Sequence, residues 1–148
     1  MPRPRAVLAL LPLAALLAGC APTSGSSDSA GNFRGDQRAV ATVVEDLESA
    51  ASKGDQDRIC RTLLAPDLVR RLSSPSRGCP ASVDHALKNS DTFAVDVQSV
   101  QISGDTATAR VKVENGKQDR FATIGLTRPR PSAGWQIARL PLTQTAAR

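Results

Sequence analysis

The 148-residue chain has no tyrosine, one tryptophan, three phenylalanines, one histidine and one methionine. Each scarcity removes a class of chemistry. Without tyrosine there is no phenol to stabilise an oxyanion or relay a proton. A single histidine (His85) leaves too few ligands for a histidine-based metal site. With its four aromatic residues scattered along the chain instead of interleaved with the arginines, it lacks the basic and aromatic surface of a nucleic-acid binder. No apolar stretch reaches the ~20 residues of a spanning helix. The longest is the twelve residues from Ala6 to Leu17, interrupted by Pro12. There is no G-x-S-x-G elbow, phosphate-binding glycine loop or zinc-helix motif, so no cofactor is expected and the nucleophilic, nucleotide and metalloprotease classes have no local support.

The beginning of the chain reads as a targeting segment. Met1-Pro2-Arg3-Pro4-Arg5 is positive and free of acid, and the apolar run from Ala6 to Leu17 follows it, as in an export signal. The run closes on Leu17-Ala18-Gly19-Cys20, which resembles the lipobox of bacterial lipoproteins. That resemblance implies that residues 1–19 are a signal peptide, that Cys20 receives lipid and becomes the new N-terminus, and that the protein is exported and held by its lipid on the outer face of the cell membrane. Residues 20–36 then read as a flexible tether. Pro22, four serines, Gly25, Gly31 and Gly35 dominate it, and Phe33 is almost its only apolar side chain.

Loss of Arg3 and Arg5 with the leader leaves 19 − 2 = 17 basic residues against 14 acidic, a net charge of +3. So mild an excess gives no ground for a nucleic-acid partner. If lipid takes Cys20, the remaining cysteines are an even pair, Cys60 and Cys79. Outside the cytoplasm such a pair is expected to oxidise. Two free buried thiols and a metal site are the competing readings, the latter short of ligands.

The first half of residues 37–141 has helical periodicity. Val40, Val43, Val44, Leu47, Ala50 and Ala51 form one stripe, with Glu45, Asp46 and Glu48 on other faces, Asp36 as cap and Gly54 as stop. Asp55 caps a second helix carrying Ile59, Cys60, Leu63 and Leu64. Pro66 closes that helix and can open another turn with Leu68, Val69 and Leu72. After a loop from Ser73 to Gly78, Pro80 sits in the first turn of a short third helix, with Val83, Ala86 and Leu87 inward. The second half alternates with period two. A strand from Thr92 to Ser103 changes parity between Val97 and Val100, predicting a bulge near Gln98 and Ser99. Ser103-Gly104-Asp105 turns into a strand with Ala107, Ala109, Val111 and Val113 inward, and Asn115-Gly116 marks a second hairpin. A third strand spans Asp119 to Thr127 and a fourth Gly134 to Leu140, with Trp135 and Ile137 on one face.

Helices followed by a four-stranded meander predict an α+β domain, with the N-terminal helices packed on one face of a bent antiparallel sheet. On the bent first strand, the Gly104-Asp105 turn and the closing Gly134-Trp135-Gln136-Ile137 strand, residues 37–141 resemble the NTF2-like (cystatin-like) superfamily, which includes SnoaL-like and ketosteroid-isomerase proteins. Residues 142–148 are left as a tail. More narrowly, the chain resembles small exported lipoproteins that pair a cysteine of the second helix with one before the third, as Cys60 and Cys79 would here. The enzymes of that superfamily place a carboxylate base in the cone between helices and sheet, facing a phenol or protonated acid. The phenol is missing here.

Single residues yield no catalytic set. Asp96 alternates away from Val95 and Val97. Asp84 and His85 are helix neighbours that do not face one another, and Asp91 reads as a turn residue. Arg70, Arg71 and Arg77 are either a solvated helix face or a basic patch toward anionic polymers or headgroups. Phe93, Phe121 and Trp135 are candidate pocket-lining residues, or core. The resulting expectation is a non-catalytic, lipid-anchored envelope module that binds a protein partner or a small apolar ligand. The alternative is a SnoaL-like or isomerase-like enzyme acting on a small apolar substrate in the cone.

Overall fold

The computed structural model describes residues 28–88, 94–115 and 118–141. Residues 1–19 expected as leader, Cys20, Asp91, Phe93, Gly116 and residues 142–148 lie outside the described residues.

Helix α1 spans Gly35–Ser52 and buries Val40, Ala41, Val44, Leu47 and Ala50 along the expected stripe. Gly54, at φ +66°, ends it in the left-handed conformation that glycine adopts without steric cost. Asp36 does not cap the helix. Arg34 holds that position without a side-chain bond, and Asp36 instead pairs with Arg128 Nη1 at 3.1 Å. Asp55 caps the next helix as expected, its carboxylate accepting from the Arg58 N–H at 3.0 Å. That helix, α2 (Gln56–Arg58), continues as a π turn over Ile59–Leu63. Helices α3 (Pro66–Leu72) and α4 (Cys79–Lys88) complete the helical half. Cys60 in the π turn is bonded to Cys79 at the start of α4, with 6.1 Å between their Cα atoms.

Strands β1 (Ala94–Ser103), β2 (Thr106–Asn115), β3 (Gln118–Thr127) and β4 (Gln136–Arg139) form one sheet in the order β1-β2-β3-β4. Every pairing is antiparallel. The bulge lies between Val97 and Ser99, where the parity of apolar residues changes. It lets Val95, Val97 and Val100 all be buried. The helices cover one face only, so the fold is the α+β arrangement read from the sequence. Ile59, Leu64, Val40, Val44, Val95, Val111 and Ile137 are the largest fully buried side chains between the two layers.

Both outer strands meet other segments at particular positions. On β1, the Val97 N–H donates to Ser29 Oγ (3.1 Å) and the Val100 carbonyl accepts from Gln37 Nε2 (3.0 Å). Beside β4, Leu64 bridges Ile137 in parallel, and the Ala65 N–H donates to the Ile137 carbonyl at 2.8 Å. The π turn makes this possible. The Leu64 N–H reaches back five residues to the Ile59 carbonyl (3.0 Å), and Leu64 leaves the helix extended at ψ 140°.

Of the span expected as tether, residues 28–36 are described. Ala30–Asn32 form a 3-10 turn, and Ser29 and Ala30 are both 5% exposed. Glu45 Oε1 fixes the turn, accepting from Ser29 Oγ at 3.0 Å and from the Ala30 N–H at 2.6 Å. Composition correctly marks this stretch as polar. It misses that two small side chains fit the seam between α1 and the β1 edge.

Candidate functional site

The residue that stands out chemically is Glu48, which periodicity places on an outer face. It is 4% exposed. Val40, Val44 and Glu48 share one i, i+4, i+8 row of α1, and two turns of that row are wholly buried aliphatic side chains. That row is the sequence signal for Glu48, masked by the habit of assigning glutamates to solvent. The Val95 backbone hydrogen-bonds its carboxylate, whereas Oε2 is buried without a hydrogen-bond partner. Burial pushes its pKa above the usual carboxylate range; the Val95 hydrogen bond opposes this, and the nearby charges of Glu45 and Asp96 reinforce it.

A raised pKa means that the folded state holds the proton more tightly than the unfolded chain. Stability should therefore decline as pH rises from about 4.5 through the raised value. Glu48→Gln, which removes the charge and keeps an acceptor for Val95, should raise stability above that window by about 1 kcal/mol, within the usual penalty for an unpaired buried polar group. Denaturant melts of the two proteins at pH 5 and pH 8 measure this directly. A gap that does not widen with pH removes the assigned cause.

A second cluster lies at the far end of α1. The Arg128 guanidinium carbon is 4.6 Å from the Trp135 ring centroid, its Nη1 meets Asp36, and its Nε is 3.9 Å from Asp105. Arg128 thus joins the end of β3, the β1–β2 turn, the start of α1 and the residue before β4. Trp135 is 5% exposed and Ile137 0%, both in the core. The cation lies against the indole face, an arrangement suited to holding elements together.

The remaining candidates are dispersed. Phe121 is 58% exposed on the uncovered sheet face, so it does not line the interior. Asp96 pairs across from Lys112 and accepts from Gln98 Nε2 at 2.6 Å. The Asp84 carboxylate is engaged by Gln56 Nε2 (3.1 Å) and Lys88 Nζ (2.7 Å), and His85 beside it is exposed. Arg70 pairs with Asp67 at 2.6 Å, while Arg71 donates to the Ala138 carbonyl at 2.7 Å. Among the described residues no three potential ligands converge on a metal position, and no helix is long and apolar enough to cross a membrane.

No protein-family model matches the chain, and no curated protein matches it. Solved structures to which it is similar include a "De novo designed NTF2 fold protein NT-9", 15% identical with a TM-score of 0.48, covering 72% of this chain and 87% of that one. Another is "Rd1NTF2_05 with long sheet", 14% identical with a TM-score of 0.43, covering 69% of this chain and 93% of that one.

Proposed function

We propose that the protein is an exported envelope lipoprotein, anchored through Cys20, whose NTF2-like domain is a non-catalytic interaction module. The reading rests on how the three cysteines divide. Cys60 and Cys79 are joined, a pairing that persists in oxidising compartments, and the third cysteine closes a leader-like apolar run. Two acyl chains, at about 0.8 kcal/mol per buried methylene, hold a domain on a membrane without any spanning helix. The aliphatic side chains filling the space between α1 and the sheet favour recognition of an envelope protein by the outer surface over a small apolar ligand in the cone.

Cys20→Ser should abolish metabolic labelling with a fatty acid and shift the protein from the membrane to the soluble or precursor fraction. Continued labelling of that variant refutes the anchor. One observation favours the isomerase-like alternative, namely the buried Glu48 carboxyl with its unpaired oxygen. An enzyme using it would turn over a small apolar carbonyl compound and lose that turnover in Glu48→Gln, whereas an interaction module has no turnover to lose.

A further inference from the structure

The uncovered face of the sheet carries an aromatic side chain with no layer over it. Phe121 is the only large hydrophobic residue exposed among the described residues, at 58%. It lies beneath the Arg110 guanidinium, whose carbon is 4.8 Å from the ring centroid. On the same face, Arg139 packs over Gly125, where a Cβ would come within 3.1 Å of the Arg139 Cβ. Arg110 stands opposite Thr123 in the β2–β3 register, and Arg110, Thr123 and Arg139 are all exposed. Lys112 stands opposite Phe121; Asp96 lies in that same row on the far side of Lys112, and Glu114 opposite Asp119 forms the next outward row, away from Arg110 and Arg139. From Phe121 toward β4 the face is basic with one apolar ring in it.

We infer that this half of the sheet, centred on Phe121, Arg110 and Arg139, docks onto an anionic phospholipid surface and lays the domain flat on the membrane that anchors it. The inference rests on the lipid-anchor reading. A phenyl ring paired with guanidinium groups suits the headgroup region, since the ring can enter the acyl boundary while the cations meet phosphate oxygens.

The path of the chain permits the pose. Ser29 is fixed to the Val97 N–H, and Val97, Val111 and Ala122 are successive register partners across the sheet. The chain therefore enters level with Phe121 one step outside β1, three strand spacings or about 15 Å away. The 29 − 20 = 9 residues back to Cys20 extend to at most about 30 Å. The lipid can thus sit beneath the face. A second copy centred on Phe121 is the weaker occupant, because it would bring Arg110 close to its own like-charged counterpart.

The test is hydroxyl-radical footprinting of the purified, lipidated protein on phosphatidylcholine vesicles with and without phosphatidylglycerol. Phe121 oxidation should fall at least about fivefold on the anionic vesicles alone, recover in high salt, and recover in Arg110→Glu. Phe33 supplies the internal reference, so the wild-type comparison decides the matter even if the variant folds poorly. Equal oxidation on both vesicle types overturns the proposal. Equal protection on both also overturns it, and protection that grows with protein concentration then identifies a second copy. Failure of the anchor shows separately, as protein that does not float with phosphatidylcholine vesicles, and leaves the Phe121 comparison readable.

Discussion

Ile137→Ala should lower the unfolding free energy by about 3–4 kcal/mol, near the upper part of the range for truncating a buried isoleucine. Ile137 is 0% exposed and has backbone partners on both sides. It pairs with Leu126 on β3 and bridges Leu64, and its carbonyl accepts from the Ala65 N–H. The surroundings have little freedom to collapse into the space left by the side chain, because Leu64 is held by the π turn and Cys60 in that turn is tied to α4. Denaturant titration should show the loss as a lower midpoint at unchanged slope. A cost below about 1 kcal/mol would mean that the site closes up, and that the Ile137 position is less rigid than its pairings imply.

The second large effect belongs to the Cys60–Cys79 bond. It closes a loop of 19 residues in sequence separation, and the chain-entropy model assigns about 3 kcal/mol to a loop of that length. The double variant Cys60→Ala, Cys79→Ala should lose that amount, and reduction of the native protein should give a similar loss. The weakening should concentrate in α2, the π turn and α4, seen as faster amide exchange there than in β2 and β3. Uniform acceleration across the sheet would contradict this regional assignment. Free thiols in the unreduced protein would remove the bond itself.

Much of the fold follows from periodicity because its elements obey their own local rules. The α1 stripe, the Gly54 stop, the Asp55 cap and the parity change at the β1 bulge are all written in residues within a few positions of the feature. So is the turn at Gly104, whose φ of +57° calls for the glycine found there. The features that escaped are set by distant partners. The π turn exists because Leu64 and Ala65 must meet Ile137, more than seventy residues away. Ser29 and Ala30 are ordered by Glu45 and Val97, not by propensity. Phe121 faces out because the β2–β3 register aligns Ala109 with Ile124 and Ala107 with Leu126, turning the even-numbered β3 residues inward. Read alone, the third strand gives no means of choosing between Phe121 and Ala122. Glu48 was hidden by its residue type, although its i, i+4 row marks the position as interior.

The Ser29 and Leu64–Ala65 contacts also bear on behaviour in crowded surroundings. A meander of four strands has two outer rows through which molecules could zip together into fibrous stacks. Here an incoming strand would first have to displace the Ser29 hydroxyl on one flank or the Leu64–Ala65 segment on the other, each tied into the helical layer. Pairing of neighbouring copies through these stretches of β1 and β4 is thereby disfavoured.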